Sequence, residues 1–139
     1  MTTRGLSLMN PCNIMHSDAF TWSGEVVPST DPDGRLCQFT SFVMGIRAGA
    51  ELLKNYYRKD GCDTVRKIIT RYAPNIENPT DSYVAFIADW CGVQPDDSVN
   101  VIDPVFMYRM ISGIIHFEQG SDFCTQAQIQ QGITFALGA

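Results

Sequence analysis

The chain has 139 residues, which points to one domain, and its 45% hydrophobic and 18% charged content suits a packed core and excludes a disordered chain. A net charge of -5 with scattered basic residues gives no electrostatic footing for nucleic acid or for an anionic membrane surface. The opening MTTRGLSLMN lacks the apolar core of a secretory signal, and no stretch approaches the roughly 18 apolar residues of a membrane span; stable membrane insertion is not expected, and action outside the cytoplasm would need another delivery route.

The first 40 residues differ from the rest. NPCNI (10–14) is rich in turn formers, and TWSGEVV (21–27) and RLCQF (35–39) are short β-like runs around the turn-forming PSTDPDG (28–34). This pattern predicts one small β-hairpin whose register the long connection leaves open. Helical spacing follows. Phe42, Ile46, Ala50, Leu53 and Tyr57 recur every three or four residues and predict a helix from about 41 to 59, ended by Gly61. Asp63 can cap the next helix, with Val65, Ile68, Ile69 and Tyr72 as its stripe and Pro74 as its stop.

Asn78-Pro79 reads as a cap followed by a first-position proline, opening a helix to about Cys91 with Tyr83, Val84, Ile87 and Trp90 inward. Residues 92–102 form the loosest connection, too short to separate domains. Asp103-Pro104 repeats the start signal and opens a helix that is apolar nearly all round, from Val105 to Phe117, and so central to the core. It closes with Glu118 and Gly120. Thr125-x-x-Gln128 then reads as a capping box for a last helix to about Leu137, with Ile129 and Ile133 inward. The expected architecture is a single, mainly α domain over 1–139, with a hairpin region in 1–40 and helices in 41–139.

Cysteines stand at 12, 37, 62, 91 and 124, an odd count without a C-x-x-C, and His16 and His116 are far apart in sequence. This speaks against a metal site or a disulfide framework and for buried free thiols in a reducing compartment. Phosphate loops, dinucleotide glycine patterns and the G-x-S-x-G elbow are absent from the sequence, and no cofactor is implied. Cysteine–histidine catalysis would have to use Cys12 with either histidine, and nothing local supports it.

Carboxylates remain. Glu118 ends the most apolar helix, where the negative end of the helix dipole and a hydrocarbon setting both disfavour the ionised form. A carboxyl kept protonated near neutrality is what a glycosidase uses to protonate a leaving oxygen. A solvated helix-end residue is the alternative. Glu25, Asp31 and Asp33 in the hairpin are candidates for a second carboxylate, or are ordinary turn and edge residues. Trp22 beside Glu25 suits sugar binding, whereas Tyr72 and Tyr83 read as core residues with a wet hydroxyl.

RGLSLMNPCNI (5–14 with Arg4) resembles the R-G-I-R-N-N-N-P-G-N-I-R opening of a family of small phage and prophage proteins that includes virion structural and lysozyme-like proteins. The likeness continues through WSGE (22–25), CQFTSFVMGIRA (37–48), DTVRKIITRYAP (63–74), ENPTDSYV (77–84) and IIHFEQG (114–120). ENPTDSYV also resembles the P-x-E-T-x-x-Y-V segment of lytic transglycosylases, a helix flanking the sugar cleft. In lysozyme-like enzymes the catalytic Glu closes an early helix, ahead of the hairpin. Here the hairpin comes first and the helix ending in Glu118 comes late, so the resemblance implies a circularly permuted lysozyme-like fold.

It further implies a peptidoglycan-cleaving glycosidase, either a muramidase or a lytic transglycosylase. Glu118 would be its general acid, Glu25 the second carboxylate, and Tyr83, Asn13, Trp22 and Tyr72 its glycan contacts. The alternative is a non-catalytic virion or effector component that keeps the fold for glycan binding or assembly. The implied partners are peptidoglycan strands and a virion or secretion-apparatus component. The implied site of action is the periplasm or cell wall, after synthesis in the bacterial cytoplasm and release by phage lysis, virion entry or secretion. On this reading Glu118 should face a groove shared with the 20–40 region and the 80–91 helix. Two departures stand out: Cys12 replaces a family glycine, where a left-handed turn would be strained, and Met15 replaces an arginine.

Overall fold

The computed structural model describes residues 3–73, 80–121 and 123–138. Among them are six helices: α1 (Arg4–Ser7), α2 (Phe42–Asp60), α3 (Val65–Tyr72), α4 (Thr80–Cys91), α5 (Pro104–Gln119) and α6 (Gln126–Leu137). The protein is mainly α, and the helix signals act where the sequence puts them. Asp103 accepts the Phe106 N–H and Pro104 takes the first turn of α5. Thr125 and Gln128 form both halves of the capping box of α6. Gly61 and Gly120 close α2 and α5 in the left-handed conformation, with φ of 69° and 78°.

Three local expectations are corrected. Thr64, not Asp63, caps α3 by accepting the Lys67 N–H; Asp63 instead pairs with the Lys67 ammonium at 3.0 Å. Trp90 is 38% exposed and does not join the inner face of α4, because its indole N–H donates to Ser112 Oγ at 2.9 Å on the surface. The left-handed positions of the MNPCN stretch (9–13) fall on Met9 (φ 57°) and Asn13 (φ 52°), so Cys12 is not strained and lies fully buried. Asn is among the side chains that best tolerate that region. The expected stop at Pro74 and start at Asn78-Pro79 lie outside the described residues.

The hairpin reduces to much less than a sheet. Residues 21–27 and 35–39 meet antiparallel at one bridge, Glu25 with Phe39, and a second bridge joins Met15 to Leu36. Among the described residues no strand runs further. The physical reason lies in the intervening turn. The Asp31 carboxylate takes the Arg35 and Leu36 N–H groups at 3.0 and 2.9 Å, donors that a ladder would otherwise use. The run 35–37 also pairs with residues 14–16 through His16 N–H to Arg35 O (2.7 Å) and Cys37 N–H to Ile14 O (2.9 Å).

Helix α2 lies along α6, while α5 packs on α4 and α6, and α3 on α4. Met107, Met110, Ile111, Ile114 and Ile115 of α5 are buried, which makes it the central helix the sequence predicts, although Val105 in its first turn is 62% exposed. All five cysteines are buried free thiols inside or bordering this core. The N-terminal loop docks on α2 across two small residues. A Cβ on Gly45 would stand 2.4 Å from Met9 O, and one on Gly49 would stand 2.9 Å from Cys12 Sγ. The missing side chains let residues 9–12 lie directly on the helix and carry Asn13 toward the end of α5.

Candidate functional site

At the C-terminal end of α5 the chain opens a cleft of about 390 Å³, whose walls include Asn13, Tyr72, Glu118 and Gln119 together with Arg4 and Arg35. Met15 and Leu36, the residues of one bridge, complete the wall nearest the 14–40 segment. Glu118 therefore faces a groove shared with residues 35–36, and it reaches α4 through Tyr83.

Glu118 is half-buried and takes two donors. Asn13 Nδ2 donates to Oε1 at 2.8 Å and the Tyr83 hydroxyl donates to Oε2 at 2.8 Å. Tyr83 is fully buried and stacked on Phe117, with ring centroids 3.9 Å apart. Burial first, and then the Glu118 charge, push its phenol well above the ordinary tyrosine value, so it remains a donor across the whole physiological range.

Asn13 is held with equal definition. Its Oδ1 accepts from Gln119 Nε2 at 3.2 Å, which leaves Nδ2 directed at Glu118. Gln119 also donates to Pro11 O at 2.8 Å and accepts from the Thr3 hydroxyl. One partly buried network thus runs from Thr3 through Gln119 and Asn13 to Glu118 and Tyr83. Fully buried Asn10 shapes the loop by donating to Ile14 O (3.0 Å) and Cys37 O (2.9 Å) and accepting the Ile14 N–H (2.9 Å).

Tyr72 sits at the cleft edge, and its hydroxyl donates to Cys12 O. Burial keeps both the Tyr72 phenol and the Cys12 thiol well above their ordinary values, so neither offers an anionic nucleophile. Arg4 pairs through Nε with Asp31 at 3.2 Å and through its terminal nitrogen with Asp33 at 3.0 Å, which ties α1 to the 31–34 turn. Arg35 is 54% exposed and only loosely paired to Asp33, at 3.9 Å. Among the described residues the lining is therefore polar, with the Glu118 carboxylate and the Arg4 and Arg35 guanidinium groups.

Glu25 and Trp22 stand elsewhere. The Glu25 side chain is 1% exposed; Oε1 accepts the Trp22 N–H at 2.9 Å and Oε2 lies 3.0 Å from His16 Nδ1. The Trp22 ring packs edge-on against Phe20 and borders a separate depression with Arg47 and Glu51. Glu118, Asn13, Tyr72 and Tyr83 come together, and Glu25 and Trp22 do not join them. A hairpin carboxylate is not among the residues lining this cleft, because the first bridge turns residue 25 inward toward His16 and Cys37.

Sequence reasoning missed Thr3, Gly5, Gln119 and the two arginines. A Cβ on Gly5 would fall 2.1 Å from Asn13 Oδ1 and 2.6 Å from Gln119 Nε2, so the Arg-Gly pair of the opening motif leaves room for the network. That motif and the Gln directly after Glu118 were the available signals.

No family model matches the chain. Over 136 residues it is 36% identical to Protein P5 of Pseudoalteromonas phage PM2, an alignment covering 96% of this chain and 82% of that protein. At this identity and coverage the chain belongs to the same family as Protein P5 of Pseudoalteromonas phage PM2.

Proposed function

We propose that the protein is a peptidoglycan-cleaving glycosidase of phage type, with Glu118 as general acid, on a circularly permuted lysozyme-like fold. The observation that carries this reading is the position of Glu118: it ends the central helix, opens on a polar cleft, and is oriented by Asn13 and Tyr83. Chain order supports the permuted fold, since the 14–40 segment and α4 both precede the helix that bears the acid. The exposed, loosely paired Arg35 guanidinium suits a polymer whose peptide stems carry carboxylates.

Glu118 is the carboxylate that the described lining supplies, and a single-acid route needs no other. Glu118 in its acid form gives its proton to the glycosidic oxygen as the C1–O bond breaks, and the substrate's acetamido oxygen meets the charge developing at C1. Glu118, now a carboxylate, then takes the proton of the incoming hydroxyl. Water as that acceptor makes a muramidase, and the sugar's own hydroxyl makes a lytic transglycosylase. The protein would act on the cell wall after lysis, virion entry or secretion.

One observation favours the second reading, a non-catalytic virion or effector component that uses the cleft for glycan binding or assembly. Each Glu118 oxygen already accepts a protein donor, as in a purely structural carboxylate. Zymography on peptidoglycan separates the two, using wild-type protein and Glu118→Gln of matched circular dichroism. The glycosidase reading expects clearing by wild type and none by the variant. Clearing that survives the substitution removes Glu118 from the chemistry, and a folded wild type that clears nothing favours the binding role.

A further inference from the structure

Behind the cleft wall, His16, Glu25 and Cys37 converge from three separate stretches, with one ligand atom of each lying within 4.8 Å of the other two. We propose that they form a metal site for a divalent transition ion of the zinc class. Imidazole, carboxylate and thiolate together are a zinc donor set, and three protein ligands leave a fourth position for water. Bonds of about 2.0–2.3 Å would set the donors of a tetrahedral site roughly 3.3–3.8 Å apart. The trio needs only small side-chain movements to reach that spacing from its present spread.

The surroundings are those of a held site. Glu25 Oε1 is fixed by the Trp22 N–H, which leaves Oε2 on the inner side, 3.0 Å from His16 Nδ1. His16 Nε2 lies 3.0 Å from the exposed Asp18 carboxylate, the outer-shell arrangement that fixes the tautomer and orientation of metal-bound histidines. Cys37 is fully buried and the Glu25 side chain nearly so, while His16 keeps 26% exposure and gives an ion a way in. A cation here would offset the desolvation of a carboxylate and a thiolate together.

The position also gives the ion work to do. His16 and Cys37 directly follow the bridged pair Met15 and Leu36, and Glu25 belongs to the other bridge. One ion would tie together both bridges of a segment that has no longer strand among its described residues, and would brace Met15, Arg35 and Leu36 against the cleft. An ion held there would take no part in chemistry at Glu118.

Metal-free protein titrated with Co²⁺ should gain a thiolate-to-cobalt absorption band saturating at one equivalent, and Zn²⁺ should displace it and raise the thermal midpoint. Cys37→Ser should abolish the band, His16→Gln should weaken Co²⁺ binding by roughly tenfold or more, and Cys124→Ser should leave both unchanged. A wild type with no such band, or a band that survives in Cys37→Ser, overturns the proposal. If Cys37→Ser does not fold, His16→Gln decides by itself, since the His16 ring reaches the surface; unchanged Co²⁺ affinity there is equally fatal.

Discussion

Glu118 is defined by its neighbours more than by its helix. The donors on its two oxygens come from residues 105 and 35 positions away, and both are themselves constrained, Asn13 by Gln119 and Tyr83 by full burial and its stack on Phe117. Tyr83→Phe deletes one donor while keeping the stacked ring. A hydrogen bond contributes about 0.5–1.5 kcal/mol to a neutral acceptor and about 1.5–3 kcal/mol to a charged one, so urea denaturation should report a loss within that range with an unchanged slope. An unchanged midpoint would mean that the Tyr83–Glu118 contact is not formed in solution. In the glycosidase reading the same variant should retain part of its clearing activity, because Asn13 still orients the acid. The cysteines behave differently. Burial pushes the Cys91 and Cys124 thiols up to about 11 and Cys37 up to about 12, so alkylating reagents at neutral pH should modify the native protein slowly and the urea-unfolded protein fully.

At the scale of elements, α2, α5 and α6 were legible because period and punctuation agree: Gly61 and Gly120 stop helices, and Asp103-Pro104 and Thr125-x-x-Gln128 start them. The region before residue 41 was not legible in the same way. Its order comes from side chains that bond backbone, such as Asn10 and Asp31, and such bonds leave no periodic trace. Glu25 was misplaced for that reason, since a one-bridge pairing has no register that alternation could reveal. The docking of this region on α2 gives a direct test. Gly45→Ala would gain up to about 1 kcal/mol in helix propensity. Its Cβ would however meet Met9 O at 2.4 Å and Pro11 Cδ at 3.0 Å, and a backbone carbonyl cannot swing aside as a side-chain tip can. Overpacking costs about 1–3 kcal/mol, so the clash should win and the variant should unfold at lower denaturant. A midpoint equal to or above wild type would show that the loop is not seated on the helix.

For the whole molecule, the first helix closes one side of the cleft: α1 reaches the end of α5 through Thr3 and Gln119, and the 31–34 turn through Arg4. Asp31 is the pivot of this closure. Its side chain is inaccessible, and its carboxylate is held below the ordinary value of 3.8, above all by the Leu36 N–H; burial opposes this as the next largest effect, and the Arg4 charge and the Arg35 N–H add to the lowering. A group whose folded value is lowered stabilises the native state fully above its unfolded value, and that stabilisation is lost as pH falls through the folded value. The Asp31 contribution should therefore be complete above about pH 5, begin to fade near pH 4 and be lost below its depressed folded value. Asp31→Asn keeps the shape, removes the charge, and turns two charge-assisted backbone bonds into ordinary ones. The variant should be less stable than wild type at pH 7, and the gap between them should narrow as the pH is lowered from 5 to 3. Stability measured by urea denaturation at half-unit steps reads both. A gap that stays constant with pH would mean that Asp31 does not titrate with folding, and that Arg4 is not anchored through it to the cleft.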